Sequence, residues 1–310
     1  MKPLLAACFA VLCCAQLPSE RIRNAAAEPH NWLTYSGAYN GWRHSKLDQI
    51  NRINVPNLKV AWVYQMPVTE RIETTPLVVD GVMYLSEPPS NVVALDAETG
   101  RPYWRYRRSL TSKINVCCGQ VNRGVAVAGD RVFVGTVDGH LVALNARTGA
   151  VLWDIPVAEP KNGYSITGAP LIVKDMVITG IAGGEYGVRG FLDAYDQKTG
   201  ERRWRFWTIP EPGQPGSETW SGNAWKTGGG PTWLTGSFDV EQNLIIWGTG
   251  NPSPDWNGDV RAGDNLYSDS AIALDADTGK LKWHFQFVPH DVHDWDAVQV
   301  PVLVDAEWQG

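Results

Sequence analysis

Apolar residues along this chain come in short runs broken by turn residues, without the sustained three-to-four spacing of an amphipathic helix. "PLVVDGVMYLS" (Pro76 to Ser86), "GVAVAGDRVFVGT" (Gly124 to Thr136) and "NLIIWGTGN" (Asn243 to Asn251) each read as short strands, the first two folding back at Asp-Gly or Gly-Asp turns. Four further segments share one pattern: "ALDAETGRPYW", "ALNARTGAVLW", "AYDQKTGERRW" and "ALDADTGKLKW". Each places Asp or Asn two residues after Ala, then Thr-Gly, then Trp four residues past the Gly. The Gly supplies the positive φ that such a hairpin needs between an incoming and an outgoing strand.

The four repeats begin at Ala94, Ala143, Ala194 and Ala273, at intervals of 49, 51 and 79 residues. A period of about 40 to 50 residues with four short strands per unit predicts an all-β fold, a β-propeller. The repeated Trp is expected to pack blade against blade and to carry no chemistry. The long third interval is assigned to a Pro-, Gly- and Trp-rich insertion between Phe206 and Leu234, whose aromatic content argues for an ordered, functional loop.

The formal net charge is −6, and residues 1–27 hold Lys2, Arg21, Arg23 and Glu20, a net +2, which leaves −8 for the remainder. An acidic chain without a basic cluster argues against nucleic acid or an anionic membrane surface as partners. "MKPLLAACFAVLCCAQ" has one lysine and an apolar run too short for stable membrane insertion, and reads as a secretory signal. Cleavage after Ala27 is favoured over cleavage after Ala15, giving a signal over 1–27 and one domain over 28–310. A lipoprotein anchor at Cys13 or Cys14 fits poorly.

Beyond that leader only Cys117 and Cys118 remain, side by side in "INVCCGQVNRG". Adjacent α-carbons lie about 3.8 Å apart, whereas ordinary disulfides take roughly 4.4 to 6.8 Å. The pair is therefore a strained disulfide, two free thiols or two metal ligands. In an oxidising compartment each has only the other as partner, which favours the disulfide.

"CCGQVNRG", the Thr-Gly-Trp repeats, "GGEYGVRG", "GTGNPSP" and "PHDVHDWD" occur in the order found in the quinoprotein alcohol dehydrogenases, and Asn31 to Trp62 resembles that family's N-terminal segment. The resemblance implies a secreted eight-bladed propeller holding pyrroloquinoline quinone (PQQ) beside a metal ion. It makes the Cys117–Cys118 disulfide a lid on one face of the quinone and Trp233 the floor on the other. Arg123 matches the arginine facing the quinone oxygens or a carboxylate, Glu73 and Thr167 match rim positions, and Gly183 and Gly184 fall at cofactor-binding positions. Glu185 and Asn251 match metal ligands, whose oxygens suit a hard cation, Ca²⁺ or a lanthanide.

Two aspartates compete for the catalytic base. Ungapped alignment from Pro289 makes Asp294 the base and puts Asp296 two residues later, at the added ligand position of lanthanide-dependent members. On a strand, residues two apart share a face, so both carboxylates could reach one ion. A gapped alignment would make Asp296 the base instead. Ala182 and Pro231 depart from the family by replacing hydroxyl residues that contact the cofactor.

The implied reaction is oxidation of a primary alcohol to an aldehyde in the periplasm. No Cys-x-x-Cys-His follows the leader, so a separate periplasmic cytochrome c is the expected acceptor, a haem domain further along remaining open, as does a homodimer. Family members continue well beyond "DAEWQG", so the chain is expected to be an N-terminal fragment with about five to six of the family's eight blades. The competing readings are a PQQ-dependent sugar or polyvinyl-alcohol dehydrogenase, a non-catalytic periplasmic propeller scaffold, and a zinc site on His290 and His293, which lacks any zinc-protease spacing.

Overall fold

The computed structural model describes residues 18–68, 71–110 and 114–307; Cys8, Cys13, Cys14 and most of the expected leader lie outside them. Four antiparallel four-stranded sheets follow one another as blades. The first holds β1 (Leu77–Val79), β2 (Val82–Glu87), β3 (Asn91–Asp96) and β4 (Pro102–Tyr106). The second holds β5 (Ala126–Ala128), β6 (Arg131–Gly135), β7 (His140–Asn145) and β8 (Val151–Pro156). The third holds β9 (Leu171–Val173), β10 (Met176–Gly180), β11 (Phe191–Asp196) and β12 (Arg202–Trp207). The fourth holds β13 (Ser237–Asp239), β14 (Leu244–Gly248), β15 (Ser270–Asp275) and β16 (Leu281–Gln286). Strands are ordered within each sheet as in the chain. The middle strands, such as β6, β7 and β10, are nearly all buried, because neighbouring blades cover both faces. Their sequences therefore read as continuous apolar runs rather than alternating ones.

The repeats act as expected. In each Thr-Gly turn the preceding Asp or Asn side chain accepts backbone N–H groups, as Asp96 does from Glu98 and Thr99. The Gly has positive φ: Gly100, Gly149, Gly200 and Gly279 lie between +67° and +73°. Each also receives a tryptophan from the segment before it, the preceding blade for Gly149, Gly200 and Gly279. A Cβ at Gly149 would lie 2.5 Å from Trp104, and one at Gly279 would lie 2.6 Å from Trp204. The indole N–H groups of Trp104, Trp153 and Trp204 donate to Ala146 O, Gln197 O and Ala276 O at 2.9, 3.2 and 3.0 Å. The "TG…W" pattern is thus half of each of two contacts, with Trp62 starting the series at Gly100.

The blade count differs from the expected five to six. Among the described residues four blades are complete, and the segments at either end carry no ladder. Trp62, Tyr64 and Met66 pack on Leu85, Val93 and Leu95 of the first blade, and Leu303 bonds Asn40 O. A blade needs four paired strands, and these segments supply single extended stretches.

The long third interval is also shared differently. Part of it is the ordered loop after β12, where Arg189 lies between Trp207 and Trp225 at 4.3 and 4.9 Å from their ring centroids. The rest lies in 249–269, between β14 and β15. The repeat spacing could not separate the two because both fall between the same pair of Thr-Gly turns.

Ser19–Arg23 forms a short helix, α1, against the first blade. Ile22 is fully buried in the main core, and Arg21 pairs with Asp80 and Glu28 at 2.7 and 2.5 Å. Among the described residues no helix is long and apolar enough to cross a membrane.

Candidate cofactor and cation site

Topology brings the site together. In a four-stranded meander the connection between the second and third strands and the crossover to the next blade lie at one end. The Thr-Gly turns lie at the other. Glu73 precedes β1, Cys117 to Arg123 precede β5, Thr167 precedes β9 and Trp233 precedes β13. Glu185 sits between β10 and β11, Asn251 between β14 and β15, and Asp294 and Asp296 follow β16. Every candidate therefore stands at the same end, and consecutive crossovers are stitched by backbone bonds: Thr75 N to Arg123 O and Arg123 N to Thr167 O, both 2.9 Å.

A cavity of about 590 Å³, counting its open mouth, is lined by nine of the expected residues: Cys117, Cys118, Arg123, Thr167, Gly183, Glu185, Trp233, Asp294 and Asp296. Ala182, one of the two departures from the family, lines it as well. Glu73 stands just behind, its carboxylate 2.8 Å from the Arg123 guanidinium. That guanidinium lies 4.6 Å over the Trp233 ring, an arrangement in which ion pair and ring face fix the same side chain. Gly184 and Asn251 form the adjoining wall: a Cβ at Gly184 would lie 2.7 Å from Asn251 Oδ1. Sequence reasoning did not single out Ser165, Val116 or Val121, which also line the cavity; they carry no motif of their own.

The Asp296 carboxylate is a hub. Its Oδ1 accepts the Asn251 backbone N–H at 2.9 Å, and its Oδ2 accepts the Trp233 indole N–H at 3.3 Å. A Cβ at Gly250 would lie 2.1 Å from Oδ1, so only glycine lets the carboxylate approach this loop. Asp294 is the more exposed of the two. Burial first, then the charge of Asp296 and the neighbouring acids, pushes the Asp294 carboxyl up to about 6. Burial also pushes Asp296 up to about 6. Behind them Asp269 is fully buried with neither oxygen hydrogen-bonded, and burial raises it to about 8.

One expectation needs correction. The Pro289–Asp296 segment is not a strand: His290, Asp294 and Asp296 all have positive φ. The two carboxylates reach one cavity through an irregular turn, not through strand alternation. Asp291 holds that turn by accepting the N–H groups of His293 and Trp295 at 2.8 and 2.9 Å. Cys117 and Cys118 stand here as thiols with their Sγ atoms 2.7 Å apart. Burial first, then Cys118 and the nearby Glu185 carboxylate, raise the Cys117 thiol. Glu185, Asp294 and Asp296 line the one cavity, with Asn251 beside Gly184 at its edge. His290 bonds Gly263 O, and His293 packs on the Trp295 ring.

Comparison with known proteins places this end of the propeller in a family. The family described as "PQQ: Glucose/ethanol/alcohol dehydrogenase, beta-propeller domain" matches residues 32–310. The chain belongs to that family of quinoprotein β-propellers. It is 44% identical over 302 residues to the quinoprotein alcohol dehydrogenase PedH of Pseudomonas putida, covering 92% of this chain and 51% of that protein. It is 40% identical over 308 residues to the lanthanide-dependent methanol dehydrogenase of Methylacidiphilum fumariolicum, covering 91% and 50%. Among solved structures, the quinohemoprotein alcohol dehydrogenase of Comamonas testosteroni superposes with a TM-score of 0.90 at 43% identity, over 96% of this chain and 47% of that one. The chain spans about half the length of the curated relatives it matches.

The residues present fit the two groups this family implies. A flat ring lying on Trp233 would take the place over the indole where the Arg123 guanidinium now lies, and Arg123 would swing to its rim to meet a carboxylate. The expected ligands Glu185, Asn251 and Asp296 all present oxygen, the choice of a hard cation. Acids raised by burial and mutual repulsion are what a cation would relieve.

Proposed function

We propose that this chain forms much of the cofactor site of a periplasmic enzyme that oxidises a primary alcohol to an aldehyde, using PQQ and a lanthanide or Ca²⁺ ion and passing electrons to a cytochrome c. The observation that carries this reading is the convergence of Trp233, Arg123, the cysteine pair, Glu185, Asp294 and Asp296 on one cavity, in a chain of this family.

When bound, PQQ supplies the two-electron acceptor and the cation a Lewis acid. The chain's own residues do the rest. Trp233 gives a flat apolar floor, worth on the order of 1 kcal/mol beyond area burial. Arg123, held by Glu73, binds a cofactor carboxylate at the rim. Cys117 and Cys118, joined as a disulfide once a periplasmic dithiol oxidant has taken their two electrons and two protons, would form the facing lid, and Glu185, Asn251 and Asp296 would hold the cation. Asp294, the more exposed carboxylate, takes the hydroxyl proton of the alcohol at its Oδ. A basicity near the working pH suits that transfer.

Two carboxylates in addition to Glu185 suit a trivalent ion better than a divalent one, which favours the lanthanide. A leader ending after Ala15 keeps Ile22 and Arg21 with the folded domain, whereas cleavage after Ala27 would remove both. We adopt the former.

The test is reconstitution of the full reading frame with PQQ and either La³⁺ or Ca²⁺, with an artificial electron acceptor and ethanol. Turnover with La³⁺ and little with Ca²⁺ supports the assignment of Asp294 as base and Asp296 as ligand. Turnover with Ca²⁺ alone moves the base to Asp296. Absence of PQQ binding with both ions overturns the enzyme reading and leaves a scaffold role.

A further inference from the structure

One carboxylate beside the cavity has no part in the chemistry above. Asp255 lies in the loop between β14 and β15, half-buried, and its Oδ1 accepts a hydrogen bond from Asn251 Nδ2 at 2.7 Å. A second acceptor for the same NH₂ is Pro252 O at 3.2 Å. A primary amide has two nearly isosteric ends, and a carboxylate can only accept. Asp255 therefore selects the NH₂ end for itself and turns Oδ1 the other way. That oxygen is the Asn251 atom facing Gly184, the residue before Glu185.

The position of Asp255 is itself fixed. Arg261, fully buried, donates to Pro254 O at 3.2 and 3.1 Å and to Asp255 O at 3.3 Å. It also donates to Asp291 O, at the start of the turn bearing Asp294 and Asp296. One guanidinium thus ties the Asp255 loop to the turn carrying the other two acids. The fields overlap as well: the charge of Glu185 acts on Asp255, and that of Asp255 on Asp294.

We propose that Asp255 is a positioning residue for the cation site, holding Asn251 with Oδ1 toward Glu185 and adding a fourth carboxylate to the local field, so that the site discriminates in favour of a trivalent ion. The proposal rests on the reading of Glu185 and Asn251 as cation ligands. Groups that orient a ligand commonly change metal affinity by about 10- to 100-fold. Coulomb energy scales with the ion's charge, so one lost negative charge costs a trivalent ion about 1.5 times the free energy it costs a divalent one. A loss of about 10-fold for Ca²⁺ then corresponds to about 30-fold for La³⁺.

The experiment is equilibrium dialysis of La³⁺ and of Ca²⁺ against the PQQ-loaded protein, comparing the unmodified chain with Asp255→Asn and Asp255→Glu. Asp255→Asn should weaken both ions, La³⁺ more than Ca²⁺ by the ratio above, and Asp255→Glu, which keeps charge and acceptor, should restore most of the affinity. A structural role alone would move both ions by the same factor and would not follow the charge. Asp255→Ser, a short neutral acceptor, carries the test if Asp255→Asn does not fold. Unchanged affinities, or equal losses for the two ions, overturn the proposal. If the unmodified chain binds neither ion, the cation-site reading itself falls.

Discussion

The indole of Trp104 rests on the turn glycine of the next blade, Gly149, so closely that a Cβ there would lie 2.5 Å from a ring carbon. The same indole donates to Ala146 O at 2.9 Å in the same turn. Gly149→Ala meets both a positive φ of 72° and this ring. It should cost about 2 to 5 kcal/mol by urea denaturation, adding backbone strain to overpacking. Gly81 has a φ of 80° but open space where its Cβ would go. Gly81→Ala should therefore cost only about 1 to 2 kcal/mol. Equal losses at the two sites would mean that the tryptophan contact adds nothing.

Asp193 is fully buried and paired with the Arg205 guanidinium at 2.6 Å, beneath Phe191. Arg205→Met would leave that carboxylate unpaired and should destabilise by about 3 to 5 kcal/mol. Combining it with Asp193→Leu should recover a large part. Chemical denaturation of the single and double variants decides the matter, and a double variant no better than the single one would count against this account.

Both cavity aspartates are raised to about 6 from an ordinary value of 3.8. The fold therefore favours their protonated forms. Their contribution to stability is present below about pH 4 and is lost as the pH climbs through 6. With a chelator present, the denaturation midpoint should fall between pH 4 and 7 as these groups ionise, and Asp296→Asn should flatten that fall. Added La³⁺ should reverse it, because a cation favours the charged forms. A midpoint that instead rises over this range, with no change in Asp296→Asn, would contradict the assignment.

Ile22 is fully buried beside the first blade, and Ile22→Ala should cost about 2 to 5 kcal/mol. Arg21, with its side chain a quarter exposed, should matter less, about 0 to 1 kcal/mol. A chain starting at Glu28 should melt lower than one starting at Gln16. With the leader proposed above, Edman sequencing of the processed protein should find Gln16, not Glu28, at the N-terminus.

The sequence by itself determined the blades. Asp or Asn, Thr-Gly and Trp at fixed offsets are local chemistry: an Asx-bonded turn, a left-handed glycine and a ring four residues on, each legible without its partner. Motif order also led to the residues around the cavity, since each sits in its own crossover or inner turn. What only the tertiary structure decided is how those side chains face one another. Asp294 and Asp296 share a cavity through positive-φ turns that no periodicity announces. Asp255 reaches Asn251 because Arg261 anchors its loop. Cys117, ahead of the second blade, and Glu185, within the third, line one cavity. Such contacts depend on how crossovers from separate blades meet at one end of the propeller. That meeting is set by Trp-on-Gly packing between blades, so the loops' own sequences do not contain it.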